Sequence, residues 1–367
     1  VNFHSFAELI GGGVKIDAHP ALLQVIIFYI TKWIGYGTWY IKLPFLLASL
    51  AGLVYAYVFC LRNFSAQTAR IAAVVFSLSL PFVYYAPIAR MYGVGVFFCI
   101  ALLFHFYEIV FNRNASFKHL CLFALFLVIG ALNHHMNALY CVTVYSGGWL
   151  FIPKQARLRY LLTGCAAVLL YLPHLSVTLY QLNIGGIGVE QGGWLEPPSI
   201  NAFPEFLNVI FGTGSGLLVA LIIVLVAWRT GVSQFPAAKR WFPAALFVLN
   251  FSVIFIYSLY RFPIYQHSVM LFASTGLVVW FGSLTDTNSR SFNHVITGTL
   301  ILWLAGQTYI KKDYFSHCIR STYEYQFNKT AEYNLESPDI HGVFFDTDSV
   351  MESLFAGERT FPLSLSG

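Results

Sequence analysis

Charge is what this sequence has least of. Only 10% of its 367 residues are Asp, Glu, Lys or Arg, against roughly 25% in a soluble domain. The 21 basic and 16 acidic side chains are too few to cover a water-facing surface of this size. That excludes a soluble enzyme, a disordered chain and a nucleic-acid module. The alternating ~10-residue segments of a transmembrane barrel are missing too. The six cysteines (Cys60, Cys99, Cys121, Cys141, Cys165 and Cys318) show no Cys-x-x-Cys or Cys/His spacing. They read as small packing residues rather than a disulfide framework or a zinc site. Residues 1–19 are polar and contain glycine, so they are neither a signal nor a transit peptide. The chain starts at Val1 without methionine, from which an upstream segment is expected.

Apolar residues are abundant: 57% of the chain is hydrophobic and 18% aromatic. Runs of about 20 apolar residues predict an all-α polytopic membrane protein. Ten stretches qualify as spans: 43–61, 68–87, 91–111, 118–134, 137–153, 159–180, 206–228, 241–260, 265–284 and 293–310. Segment 20–37 is apolar but short, and it carries Lys32 and Trp33. It either spans or lies along the interface.

Charge bias arbitrates. If 20–37 does not span, five short loops collect Arg62, Arg70, Arg113, Lys118, Lys154, Arg157, Arg159, Arg229, Lys239, Arg240 and Arg290. The opposing loops carry only Arg90 and Arg261. The basic side should be cytoplasmic. Residues 1–42 then form an outward first loop with an interfacial helix, and 43–310 the membrane core. Residues 311–367, with a shifted composition, are expected to form a small outward α/β segment.

Chemistry-bearing residues concentrate on the outward side. Asp17 and His19 are two apart, before Pro20, and could share one cation or proton; Asp17 is equally an ordinary helix-start residue. Arg90 lies where a span meets an outward loop, flanked by Tyr85 and Tyr92. It could hold a phosphate, or snorkel in an aromatic belt. His134 and His135 meet at an outward turn; adjacent histidines point about 100° apart, so one ligates while the other packs, or both are interfacial polar residues. Loop 181–205 is rich in Gly and Pro and carries Glu190, Trp194 and Glu196, as in a flap over a sugar or headgroup. Arg261 and His267 are two further phosphate contacts or interfacial anchors.

In this order the pieces resemble the polyprenyl-phosphate-dependent glycosyltransferases of the GT-C class. The nearest likeness is to the dolichyl-phosphate-mannose-protein mannosyltransferase family and bacterial lipid A aminoarabinose transferases. Asp17-Ala18-His19-Pro20-Ala21-Leu22 is similar to the family's Asp-x-His-Pro-Pro-Leu, with Ala21 in place of the second proline. Tyr84-Tyr85 followed by Ala89-Arg90-Met91-Tyr92 matches its Tyr-Tyr-x-x-x-Ala-Arg-Met-Tyr, and Trp194-Leu195-Glu196-Pro197-Pro198 its Trp-x-x-Pro-Pro loop. The likeness covers roughly residues 3–285.

The resemblance implies transfer of a sugar from a polyprenyl-phosphate donor to an acceptor hydroxyl on a protein, lipid A or glycan, with inversion. The expected setting is a bacterial inner membrane, with the active face toward the periplasm and membrane lipids around it. Asp17 and Arg90 are the expected catalytic residues, with the principal carboxylate base upstream of Val1. His19, Tyr85, Tyr92, Trp194, Glu196, Arg261 and His267 are expected to bind substrate. The family has Arg-Tyr-Leu where this chain has His267-Ser268-Val269, which leaves Arg261 or His267 to supply the late phosphate contact. Asp17, His19, His134 and His135 could hold a divalent metal (Mg, Mn or Zn). No nucleic-acid partner is expected. The rival reading is a catalytically silent homologue, or a non-enzymatic subunit or transporter on the same scaffold. The spans hold almost no ionisable groups for ion coupling, against a transporter.

Overall fold

The computed structural model describes residues 3–17, 19–35, 37–184, 195–214, 216–229, 235–312 and 314. Glu190, Trp194 and the expected α/β segment from 315 onward lie outside them. The described residues form helices and no strand. A short helix α1 (Phe6–Glu8) runs into a π-helical turn over Leu9–Val14. Then come α2 (Leu22–Trp33), α3 (Thr38–Asn63), α4 (Ala66–Leu78), α5 (Leu80–Tyr85), α6 (Met91–Val110), α7 (Phe117–Asn133) and α8 (His135–Gly148). The second half holds α9 (Arg157–Ile184), α10 (Ala202–Phe211), α11 (Gly216–Arg229), α12 (Ala237–Tyr260), α13 (His267–Leu284) and α14 (Arg290–Ala305).

Five helical stretches are long and apolar enough to cross a bilayer: Trp39–Asn63, Met91–Val110, Lys154–Asn183, Ala237–Tyr260 and His267–Leu284. They fit an integral membrane protein. The other apolar runs make shorter helices, and two of them break for local reasons. Run 68–87 divides at Ser79, which is extended (ψ 130°) and donates its hydroxyl to the Ile210 carbonyl at 2.7 Å; Pro81, without an N–H, starts the next helix. Run 206–228 divides at Gly212 and Gly214, with φ of 106° and 89°, a region that favours glycine. Helix α2 has 12 residues, about 18 Å, well short of the roughly 30 Å hydrocarbon core.

Burial ranks the helices. The apolar stretches of α6 and α13 are each 83% buried, against 28% for α3 and for the stretch containing α9. So α6 and α13 form the centre, and α3 and α9 offer most of their surface to lipid. Close packing at the centre depends on Gly95 of α6: a Cβ there would lie 2.3 Å from the Phe272 ring and 2.7 Å from the Asn133 amide.

The contacts gather the loops as the charge bias does. Arg62, Glu108, Asn112, His119 and Lys239 meet at the far end of α6. Nearby in the chain's topology, Arg70 bonds His294 and Gln67 bonds the Asn293 carbonyl. At the Met91 end, Val14, His19, His134, Gln181 and Phe272 come together.

Candidate functional site

The Asp17–His19 turn is built by its neighbours on α9. The Gln181 amide donates to the carbonyls of Val14 and His19, both at 2.7 Å. The Ala21 N–H donates to His174 Nε2 at 3.2 Å, and His174 Nδ1 lies 3.0 Å from the Thr178 hydroxyl. His174, Thr178 and Gln181 recur at helical spacing, so one face of α9 grips the loop. Within the loop, His19 Nδ1 sits 2.8 Å from the Asp17 carbonyl oxygen and 3.8 Å from the Asp17 carboxylate. Gln24 of α2 donates to that carboxylate.

A chain of rings continues from His19. Its centroid lies 5.4 Å from that of His134. His134 lies 5.3 Å from Phe272 and 6.2 Å from Tyr92. Tyr92 stands 4.7 Å from Tyr85. Four sequence-predicted residues, His19, His134, Tyr92 and Tyr85, thus share one cluster, with Asp17 behind it. His134 is buried between α7 and α8. It caps α8 by accepting the Met136 N–H at Nδ1, 3.0 Å away. Burial first, then the nearby His19 and His135, hold its pKa well below the ordinary imidazole value. The Asn133 and Asn137 amides donate to the Met91 and Gly95 carbonyls, which ties the His134 turn to α6.

An apolar groove of about 270 Å³ opens beside the cluster. Leu50 and Leu53 of α3, Phe82 of α5, and Val96 and Ile100 of α6 line it, and Tyr85 is part of its wall. Arg90 is the half-buried residue before α6, between Tyr85 and Tyr92 in the chain.

The remaining predicted residues fall elsewhere. Arg261 ends α12, exposed, with its guanidinium 5.5 Å from the Phe262 ring. His267 begins α13 beside Phe206 and Tyr265, at 6.3 and 5.9 Å. His267 thus belongs to the neighbourhood of α10. Glu196 is exposed. His135 is 6.5 Å from His134.

The residues suit a metal poorly. Among the described residues no three His, Cys, Asp or Glu side chains gather around a point an ion could occupy. His134 is moreover occupied: with Nδ1 accepting a backbone N–H, its neutral ring carries hydrogen on Nε2. It offers no lone pair to a cation.

Sequence reasoning missed the residues that hold the site: Gln24, His174, Gln181 and Phe272. The signal for two of them was a pair of polar residues seven apart in an otherwise apolar run, hence on one helix face. It also missed the cluster at the other end of α6. Glu108 is fully buried, with Arg62 Nε 2.5 Å from Oε1 and Arg62 Nη2 2.9 Å from Oε2. Asn112 donates to Oε1 at 2.9 Å, and Asn114 to Oε2 at 3.5 Å. Lys239 of α12 donates to the Asn112 side-chain amide oxygen, Oδ1, at 2.8 Å. The chain matches no family model, no curated protein and no solved structure.

Proposed function

We propose that this protein is an integral-membrane glycosyltransferase that moves a sugar from a polyprenyl-phosphate donor to an acceptor hydroxyl, with inversion. One observation carries the reading: Tyr85 belongs at once to the wall of the apolar groove and, through Tyr92, to the imidazole cluster. A lipid chain in the groove would bring its phosphate to the Tyr85–Tyr92 segment, which carries the Arg90 guanidinium. Arg90 then stabilises the charge that develops on the departing lipid phosphate. Tyr85 and Tyr92 supply ring faces to the sugar, and the acceptor approaches over Asp17 and His19. Arg261 and His267 form a second contact region near α10, suited to the acceptor or to a headgroup. The acceptor class is a protein, lipid A or another glycan, on the periplasmic face of a bacterial inner membrane.

The test is sugar transfer from radiolabelled polyprenyl-phosphate sugars by the protein in liposomes, beside Arg90→Ala. Transfer by wild type, with kcat about 10²-fold lower in the variant, is the expected result. Folded wild-type protein that transfers no sugar from any such donor to any acceptor extract overturns the reading. Wild-type activity that survives Arg90→Ala keeps the reaction and removes Arg90 from it.

A further inference from the structure

The hydrogen bonds fix the tautomers of the two facing imidazoles, and they fix them oppositely. His19 Nδ1 lies 2.8 Å from the Asp17 backbone carbonyl. A carbonyl only accepts, so Nδ1 carries the hydrogen and the Nε2 of neutral His19 is a bare lone pair. His134 is the reverse. Its Nδ1 accepts the Met136 N–H, so its Nε2 bears the hydrogen. Among the described residues no hydrogen bond reaches Nε2 of either ring. The two rings lie 5.4 Å apart, and the His19 side chain is 20% exposed.

A lone pair on one ring and an N–H on its neighbour 5.4 Å away together complement a hydroxyl, which gives one proton and accepts one hydrogen bond. Resting on the transferase reading, we infer that the His19–His134 pair is the acceptor-hydroxyl site: His19 is its base, in place of the carboxylate that the resemblance puts upstream of Val1, and His134 is its neutral donor. The step balances as follows. The acceptor O–H proton passes to His19 Nε2. The oxygen's electron pair forms the new bond to the anomeric carbon. The bond from that carbon to the phosphate oxygen breaks, and polyprenyl phosphate leaves with its electrons. The resulting imidazolium lies near the half-exposed Asp17 carboxylate, 3.8 Å from Nδ1, whose charge favours it. His134 stays neutral and bonds the acceptor oxygen. Gln181, which holds the His19 carbonyl, is a positioning residue.

Two measurements test this, one of them independent of activity. In protein labelled with ¹⁵N-histidine and held in nanodiscs, two-bond nitrogen–proton correlations read each tautomer, assigned through His19→Gln and His134→Asn. The expected pattern is hydrogen on Nδ1 of His19 and on Nε2 of His134; the opposite pattern in either ring overturns the inference. In the transfer assay, His19→Gln should lower kcat at least about 10²-fold with donor KM unchanged, and free imidazole should restore activity to His19→Ala. His134→Asn keeps a cap oxygen for Met136 and an N–H for the acceptor, so it should fold and lose far less than His134→Leu. Full activity in His19→Gln, or no rescue of folded His19→Ala by imidazole, overturns the base role while leaving the transferase reading in place. An inactive wild type overturns that reading and the base role together.

Discussion

The two ends of α6 solve opposite problems. At the Val110 end a charged group is buried and every acceptor on it is used: Glu108 receives Arg62 on both oxygens and amides from Asn112 and Asn114. At the Met91 end the groups are nearly all neutral rings and amides, and two imidazole nitrogens have no hydrogen bond from any described residue. A fully satisfied charge is a joint, because moving any partner strands the rest. A neutral cluster with unused donors and acceptors has hydrogen bonds left to make with a polar ligand. The difference lies in what is left over, and it points to the end with fewer charges as the chemical one.

The largest break in the comparison should come from Arg62→Met. Leaving Glu108 buried without its cation should cost about 3–5 kcal/mol, read as denaturant or thermal unfolding in micelles. The His19 and His134 tautomers should be unchanged in whatever protein remains folded. A loss under about 1 kcal/mol would mean that the Glu108 cluster is not a joint.

Next comes Gly95→Ala, about one turn into α6 from the Met91 end. Its methyl would press on Phe272 and on the Asn133 and Asn137 amides, an overpacking cost of about 1–3 kcal/mol. The change should disturb the Met91 end selectively: exchange of the His134 and Met136 amides should quicken while the Asn112–Asn114 amides hold. Equal effects at both ends would show that α6 moves as one body.

The smallest effect should be acidification. His134 titrates below an unfolded imidazole, whose pKa is about 6.5. As pH falls below that value the unfolded chain takes up the proton first, so the stability contributed by neutral His134 is complete above about pH 6.5 and declines on acidification. Asp17, His19 and His135 are the titratable neighbours. The slope of stability against pH should flatten in His134→Asn; an unchanged slope would assign the acid sensitivity elsewhere.

Much of the fold was legible because lipid exposure writes itself as long apolar runs. The runs over 43–61, 91–111 and 241–260 become α3, α6 and α12. What hydropathy could not reveal was where an apolar run stops being one helix. Pro81 marks locally where a new helix can start, but the bond that holds Ser79 extended goes to Ile210, 131 residues away. The site was half legible for the same reason. Residue types near outward turns singled out Asp17, His19, Tyr92 and His134, but nothing in their spacing said that His134 uses Nδ1 as a helix cap. That one local bond turns a candidate ligand into a donor. The role of Glu108 was not legible, because its partners come from α3 and the loop after α6.

Helix α9 carries a consequence for the surrounding lipid. Its 28 residues extend about 42 Å, longer than a hydrocarbon core of about 30 Å, a mismatch that tilting, or bending at the internal Pro173, would absorb. Near one end it is anchored to α8 by stacked Tyr145 and Tyr160, each donating to the other's carbonyl. Near the other end Gln181 grips the carbonyls of Val14 and His19. Helix α9 thus joins the His19 loop to the Tyr145–Tyr160 stack, so a change in its tilt would reach both.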